Sequence, residues 1–294
     1  MLFKITMETV SKNIEDMEDI EDIIMRHSNR GMPILREHLP SKFCKESAEY
    51  ILSWKKGVIF ITTGFYVAGH AETDGPPGAL IISLTLKKLG YIPVILTDKY
   101  CKNFFEKYDI KVIYMDIKFK NENKFEFIKK TIEEFNPIGM ISIERCGLNI
   151  HNKYANMKNI SINEHTAEID LFFANYYNKI PTIGIGDGGN EIGMGNLEHI
   201  IKNKLNLIPC KIKVDKLIIS TVSNWGGYGL AAYLCKLTNN KEFFETVEKT
   251  VKEYIKYIIS IGSVDGITHE NKEKVDGHDI EVELNIIRSL CKVI

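Results

Sequence analysis

The sequence predicts a doubly wound α/β fold: a mainly parallel, six-stranded, Rossmann-like sheet in a three-layer arrangement, with helical additions at both ends. Three observations predict it. From residue 57 onward, short apolar β-rich runs alternate with helical stretches. Nearly every run closes in a hydroxyl or a charge, and 294 residues are enough for a sizeable core. Strands separated by helices favour a parallel sheet covered on both faces, because each right-handed crossover lays a helix on one face.

Residues 1–55 read as a helical extension packed on the core. Val10, Ile14, Met17, Ile20 and Ile24 recur at spacings of three and four, with acidic residues on the other faces. A second helix is predicted over 41–54, with Ser41 as N-cap. The strand candidates are GVIFITTG (57–64), IPVILTD (92–98), KVIYMD (111–116), IGMISIE (138–144), PTIGIGD (181–187) and VDKLIIST (214–221). Helices are expected over 77–90, 124–135 and 163–178. The doubly wound core runs from 57 to about 238, inside one domain spanning 56–294.

Composition narrows the function classes. A net charge of -1 and a pI near 6.7 predict no bulk attraction to nucleic acid or anionic membranes. The start, MLFKITMETVSKN, lacks the pattern of a leader, and no apolar run approaches a membrane span, so a cytoplasmic location is expected. Six widely scattered cysteines without a C-x-x-C pair predict buried free thiols. Arginine occurs at only five positions (26, 30, 36, 145, 288) among 38 basic residues, so an arginine at a loaded position stands out.

Open parallel sheets bind ligands outside the carboxyl ends of their strands. Two loops there are unusual. TIGIGDGGNEIGMGN (182–196) packs six glycines with Asp187 and Glu191 behind a strand. Gly184, Gly186 and Gly189 match G-x-G-x-x-G, yet two carboxylates beside a phosphate are unfavourable, and such a loop suits a cation or an ammonium group better. TTGFYVAGHAETDGPPGA (62–79) sets His70, Glu72 and Asp74 in a connection longer than usual. Thr62, Thr63, Gly64, Ser223 and Asn224 at strand ends are candidate partners for substrate oxygens, as are Gly186, Gly188, Gly189 and Asn190 in the glycine loop. The planar fork of Arg145 suits a substrate carboxylate. His70 and His165 are further candidates for acid–base work, histidine being the side chain most suited to it near neutrality.

The blocks E-T-D-G-P-P-G-A (72–79), I-E-R-C-G (143–147) and G-I-G-D-G-G-N-E-I-G-M-G (184–195), followed by S-N-W-G-G-Y-G (223–229) and V-D-G at 264–266 and 275–277, resemble the C-terminal domain family of D-glutamate cyclase. The resemblance covers residues from about 40 to the end. It implies a carbon–oxygen lyase (hydro-lyase) converting D-glutamate to 5-oxo-D-proline and water. It also implies a stand-alone copy, without the different N-terminal domain joined to this one in the vertebrate enzyme. The resemblance alone raises Asp265 and Asp276 to ligand or metal positions.

The chemistry needs a neutral amine, an electrophilic γ-carboxylate and a proton for the departing oxygen. Asp187, Glu191, Glu72 and Asp74 are the candidate catalytic residues. Asp187, Glu191 and Asp74 are candidate ligands of a divalent cation, Mg²⁺ or Mn²⁺, whereas NAD and PLP are not expected. The expected partner is a small amino-acid substrate, with no nucleic acid and no membrane; a homo-oligomer stays open. Two other readings stand beside the lyase: a non-catalytic amino-acid-binding module, and a nucleotide-dependent enzyme on the same sheet. An aspartyl-phosphate phosphatase is disfavoured because neither ILTDKY nor YMDIK carries D-x-D.

Overall fold

The computed structural model describes residues 18–28, 30–119 and 121–294; the helical positions expected at Val10, Ile14 and Met17 lie outside them. All six apolar runs are strands: β1 Val58–Thr62, β2 Ile92–Thr97, β3 Lys111–Tyr114, β4 Gly139–Ile143, β5 Thr182–Gly186 and β6 Lys216–Ile219. They form one sheet in the order β3-β2-β1-β4-β5-β6, parallel at every pairing. The chain winds outward from β1 to β3 and then restarts on the other side at β4. The strand order therefore reverses between β1 and β4, where a crevice opens outside the carboxyl ends.

Two helical layers cover the sheet. The longer helices are α1 Phe43–Leu52, α2 Pro76–Lys88, α3 Asn121–Phe135, α4 Asp170–Tyr176, α5 Ser223–Leu237, α6 Val247–Ser260 and α7 Ile280–Val293. On one face α2 and α5 approach so closely that a Cβ on Gly227 would lie 3.0 Å from the Gly78 Cα. On the other, Phe60 of β1 meets Phe135 of α3 and Phe172 of α4 edge-on. Ile20, Ile23, Ile24 and Leu35, from the segment before α1, share one continuous core with β1–β6 and with Leu290 of α7. That packing places Arg30 above the carboxyl ends of the strands.

Two local expectations are corrected. Ser41 does not cap α1: Lys42 holds the cap position, and its side chain accepts no amide. Residues 163–178 are not one helix but a 3₁₀ turn, Asn163–His165, then an extended step and the short α4. Tertiary contacts override helix propensity there, because Arg145 binds the Ala167 carbonyl at 2.9 Å and holds that backbone open. Pro76 and Pro77 do open α2, where their missing N–H groups cost nothing. Five cysteines are buried and Cys291 is half-buried, all free. No described helix is long and apolar enough to cross a membrane.

Candidate active site

The glycine loop folds around its own glutamate. Glu191 Oε1 accepts from the amides of Gly188 at 2.7 Å and Asp187 at 3.2 Å, and Oε2 accepts from Gly189 at 2.6 Å. Three amides of the kind that would cradle a phosphate thus already hold a carboxylate. The bare backbone is a steric need: a Cβ on Gly188 would stand 3.0 Å from Glu191 Oε1, and Gly189 sits at φ +130°.

Asp74 belongs to a reciprocal capping arrangement at the adjoining helix starts. Its Oδ1 accepts from the amides of Gly75 (2.8 Å) and Asn224 (2.8 Å), and its Oδ2 from Ser223 (2.9 Å). Asn224 Oδ1 in turn accepts from Gly75 and Gly78, both at 2.9 Å. Each residue satisfies orphan amides at the first turn of the other's helix, locking α2 to α5.

Around these two devices the structure gathers further acids. Glu144, at the end of β4, adopts a left-handed backbone at φ +43°, rare for a side chain of this type, and accepts from Ser223 Oγ at 2.5 Å. Asp276, from the second V-D-G, is also left-handed, at φ +54°. Glu72 packs so tightly against Gly266 of the first V-D-G that a Cβ there would fall 1.8 Å from Oε2. Asp265 is tied into its own turn by the amides of Thr268 and Gly277. Carboxylate oxygens of Asp74, Asp187 and Asp276 lie within 4.8 Å of one another, and so do those of Glu144, Asp187 and Glu191. Asp187 is common to both groups.

Among the described residues, Arg30 is the cation paired with this cluster. Arg30 donates to Asp187 Oδ2 at 3.3 Å and pairs with Asp276 through its other nitrogen. Its guanidinium is held even more firmly protonated than usual by Asp187 and Asp276, against the opposing effect of burial. One arginine does not neutralise the cluster. Burial, then Asp74 and Asp276, push the Glu72 carboxyl well above its ordinary range. Asp74 is pushed up by burial and by Asp276, although two amides oppose this. Glu144 is raised by burial and by Glu191 and Asp74; Asp187 by burial and by Glu144 and Asp276. Such a cluster resists being fully ionised without a cation, and oxygen donors at this spacing suit a hard divalent ion.

The acids form one wall of a cavity of about 400 Å³. Glu72, Glu144, Asp187, Glu191, Asp276 and Arg30 face it, with Gly188 and Asn190; Phe65, Tyr66, Ile162 and His165 also line it. His165 is stacked on Tyr66, with ring centroids 4.2 Å apart, and its Nδ1 lies 3.0 Å from the Tyr100 hydroxyl. Gly189 lines an adjoining lobe.

Other residues singled out from sequence stand behind the wall. Arg145 is 1 % exposed, and its fork is committed to Asp98 and the Gly64 carbonyl (2.6 Å each) and to Ala167. Gly64 lies against Arg145 and Cys101, and Gly186 against Glu191 and Met194. Thr62 and Thr63 are buried, with hydroxyls that meet no partner among the described residues. Ser223 and Asn224 act through Glu144, Asp74 and the α2 amides. His70 is exposed on a hairpin, paired with Val67.

Arg30, Glu144 and Asp276 are the residues that direct reading missed or reached only through resemblance. Arginine scarcity was a usable signal for Arg30; nothing local in SIERCG announced the backbone of Glu144.

Residues 20–291 match the family model described as D-glutamate cyclase-like, C-terminal. Over 256 residues the chain is 31 % identical to the human protein named D-glutamate cyclase, mitochondrial, covering 79 % of this chain and 40 % of that protein. The chain thus spans well under half the length of that relative. Among solved structures, a glycosyltransferase from Rickettsia africae is 18 % identical, over 56 % of this chain and 43 % of that one, with a TM-score of 0.28. A UDP-glucose:anthocyanidin 3-O-glucosyltransferase is 12 % identical, over 86 % of this chain and 44 % of that one, with a TM-score of 0.26. Neither score is high enough to bear on fold or function. The family match and the carboxylate cluster occupy the same stretch of sequence, and the chain belongs to the D-glutamate cyclase-like, C-terminal family.

Proposed function

We propose that this chain is a carbon–oxygen lyase that closes D-glutamate to 5-oxo-D-proline with loss of water. The observation that carries the reading is the buried group of carboxylates around Asp187, facing a cavity, in a chain whose family match spans 20–291. Ring closure joins the amine nitrogen to the γ-carbon and breaks one carbon–oxygen bond. Two of the three ammonium protons end on the departing oxygen. A site for this reaction needs groups that accept and release protons near neutrality, and carboxyls pushed upward by burial and by each other suit that task.

In this proposal Asp187 and Glu144 exchange protons with the substrate. Glu72 keeps the wall acidic toward the ammonium, and Arg30 meets a substrate carboxylate. Glu191 holds the glycine loop in shape, and Asp74 fixes the two helix starts. Asp74, Asp187 and Asp276 would hold a divalent cation, Mg²⁺ or Mn²⁺, which when bound polarises a carboxylate as a Lewis acid. The described segment that carries Arg30 is then part of the site rather than a peripheral extension. The anion seat already filled by Glu191 disfavours the nucleotide reading. Substitution tests the roles: full 5-oxoproline formation by both Asp187→Asn and Glu191→Gln would remove this assignment, whereas loss in Asp187→Asn with unchanged folding supports it.

A further inference from the structure

The cavity does not end at the carboxylates. Arg30, Asn156, Met157, Lys158, Gly188 and Asn190 are shared with a second lobe of about 530 Å³. Its described lining has no carboxylate: Lys204 adds positive charge to that of the shared Arg30 and Lys158, and Leu205 and Leu207 add apolar surface to that of the shared Met157. Gly31 helps to form this lobe. At φ +84° it admits no side chain easily, and a Cβ there would strike Leu205 Cδ2 at 2.4 Å. Cavities of roughly 300–1,000 Å³ suit ligands far larger than a free amino acid. An ionised γ-carboxylate is also a poor electrophile, and its charge is repelled by the acidic wall.

We propose that the physiological substrate is a γ-linked D-glutamyl amino acid. Its glutamyl part lies in the acidic lobe, and the apolar side chain and free carboxylate of the attached residue lie in the second. The idea rests on the ring closure of the proposed function and goes beyond it by replacing water with an amine as the group expelled. The bonding change is balanced without a co-reactant. The glutamyl amine nitrogen bonds to the γ-carbon, the amide carbon–nitrogen bond breaks, and the proton lost by the attacking nitrogen goes to the departing one. The products are 5-oxo-D-proline and a free amino acid. Making the γ-carbonyl an amide removes one negative charge from the acidic lobe and places another beside Lys204.

The test compares D-glutamate, γ-D-glutamyl-leucine and its α-linked isomer with the full chain, and with Lys204→Glu and Leu205→Asp, reading 5-oxoproline and free leucine. Burying one leucine side chain predicts a kcat/KM for the γ-linked dipeptide about tenfold or more above that for D-glutamate. Lys204→Glu should lower the dipeptide rate about fivefold and leave the D-glutamate rate within about twofold, since an exposed charge contributes at most about 1 kcal/mol. Turnover of D-glutamate with no preference for the dipeptide would overturn the proposal and leave cyclisation standing. Equal acceleration by the α-linked isomer, or equal loss on both substrates in Lys204→Glu and Leu205→Asp, would also overturn it. No 5-oxoproline from any compound would remove both ideas. Dipeptide cleavage with inert D-glutamate would support the proposal and remove the loss of water.

Discussion

Replacing Asp187 by asparagine should have two opposite effects on stability, depending on whether a divalent cation is present. Asp187 shares both carboxylate groups, with oxygens of its partners within 4.8 Å. Two unit charges at that separation repel by roughly 3–4 kcal/mol at an effective dielectric of about 20. Partial protonation of the cluster and the contact with Arg30 reduce this, so the metal-free variant should be more stable by about 1 kcal/mol. At about 2.1 cal/mol/K per residue, a chain of 294 residues unfolds with an entropy near 0.6 kcal/mol/K, which makes that change about 1–2 °C in Tm. A divalent cation at about one hundred times its dissociation constant should stabilise the parent by about 2.7 kcal/mol, or about 4 °C. Losing one charged oxygen ligand should weaken affinity about a hundredfold, leaving less than about 1 °C at the same concentration. The assay is a thermal melt of both proteins at pH 8, in EDTA and in Mn²⁺ or Mg²⁺. Two results would refute the reasoning: a variant that keeps the full cation-dependent rise, or one whose metal-free Tm falls by several degrees because the contact with Arg30 outweighed the repulsion.

Other substitutions read other parts of the account. Glu283 is fully buried and accepts from Trp225 Nε1 at 2.5 Å and Tyr228 Oη at 2.8 Å; burial pushes it up to about 7, against those hydrogen bonds. Because the folded state holds that proton more tightly than the unfolded chain, the contribution to stability is fully present below pH 4.5 and is lost as pH rises through 7. That shift from 4.5 amounts to about 3 kcal/mol. Glu283→Gln can still accept from the indole, so between pH 5 and pH 8 its Tm should fall about 4 °C less than the parent's, a difference checked by melts at both values. Glu191→Gln sets an amide NH₂ against loop amides now held by the carboxylate, at a cost of about 1–3 kcal/mol, which should appear as a Tm lower by about 2–5 °C together with reduced product formation. Gly266→Ala must displace Glu72 and should destabilise by about 1–3 kcal/mol, and a crystal structure with Glu72 unmoved would contradict the packing described.

What could be read from the sequence follows from how local each feature is. The six strands were legible because each apolar run ends in a polar residue at the sheet's carboxyl edge. Their order was not, since β1 pairs with β2 and β4 through contacts remote in sequence. Asp187 and Glu191 stood out in G-D-G-G-N-E, and the structure brings them together. That Glu191 faces its own loop amides depends on a turn that no spacing rule encodes. The scarcity of arginine drew attention to Arg145, whose fork is spent on Asp98 and backbone carbonyls. The same scarcity applied to Arg30, but a position so far upstream of β1 meets Asp187 and Asp276 only after the chain has folded. The helix expected over 163–178 failed at Ala167 for the same reason: a distant side chain fixes the backbone.

The most direct test of the central claim is to incubate the purified chain with D-glutamate and, separately, L-glutamate, in Mn²⁺, in Mg²⁺ and in EDTA, and to quantify both enantiomers of 5-oxoproline. The account predicts 5-oxo-D-proline from the D-substrate, lost in EDTA. Equal formation from both enantiomers, formation unaffected by EDTA, or no product under any condition would contradict it.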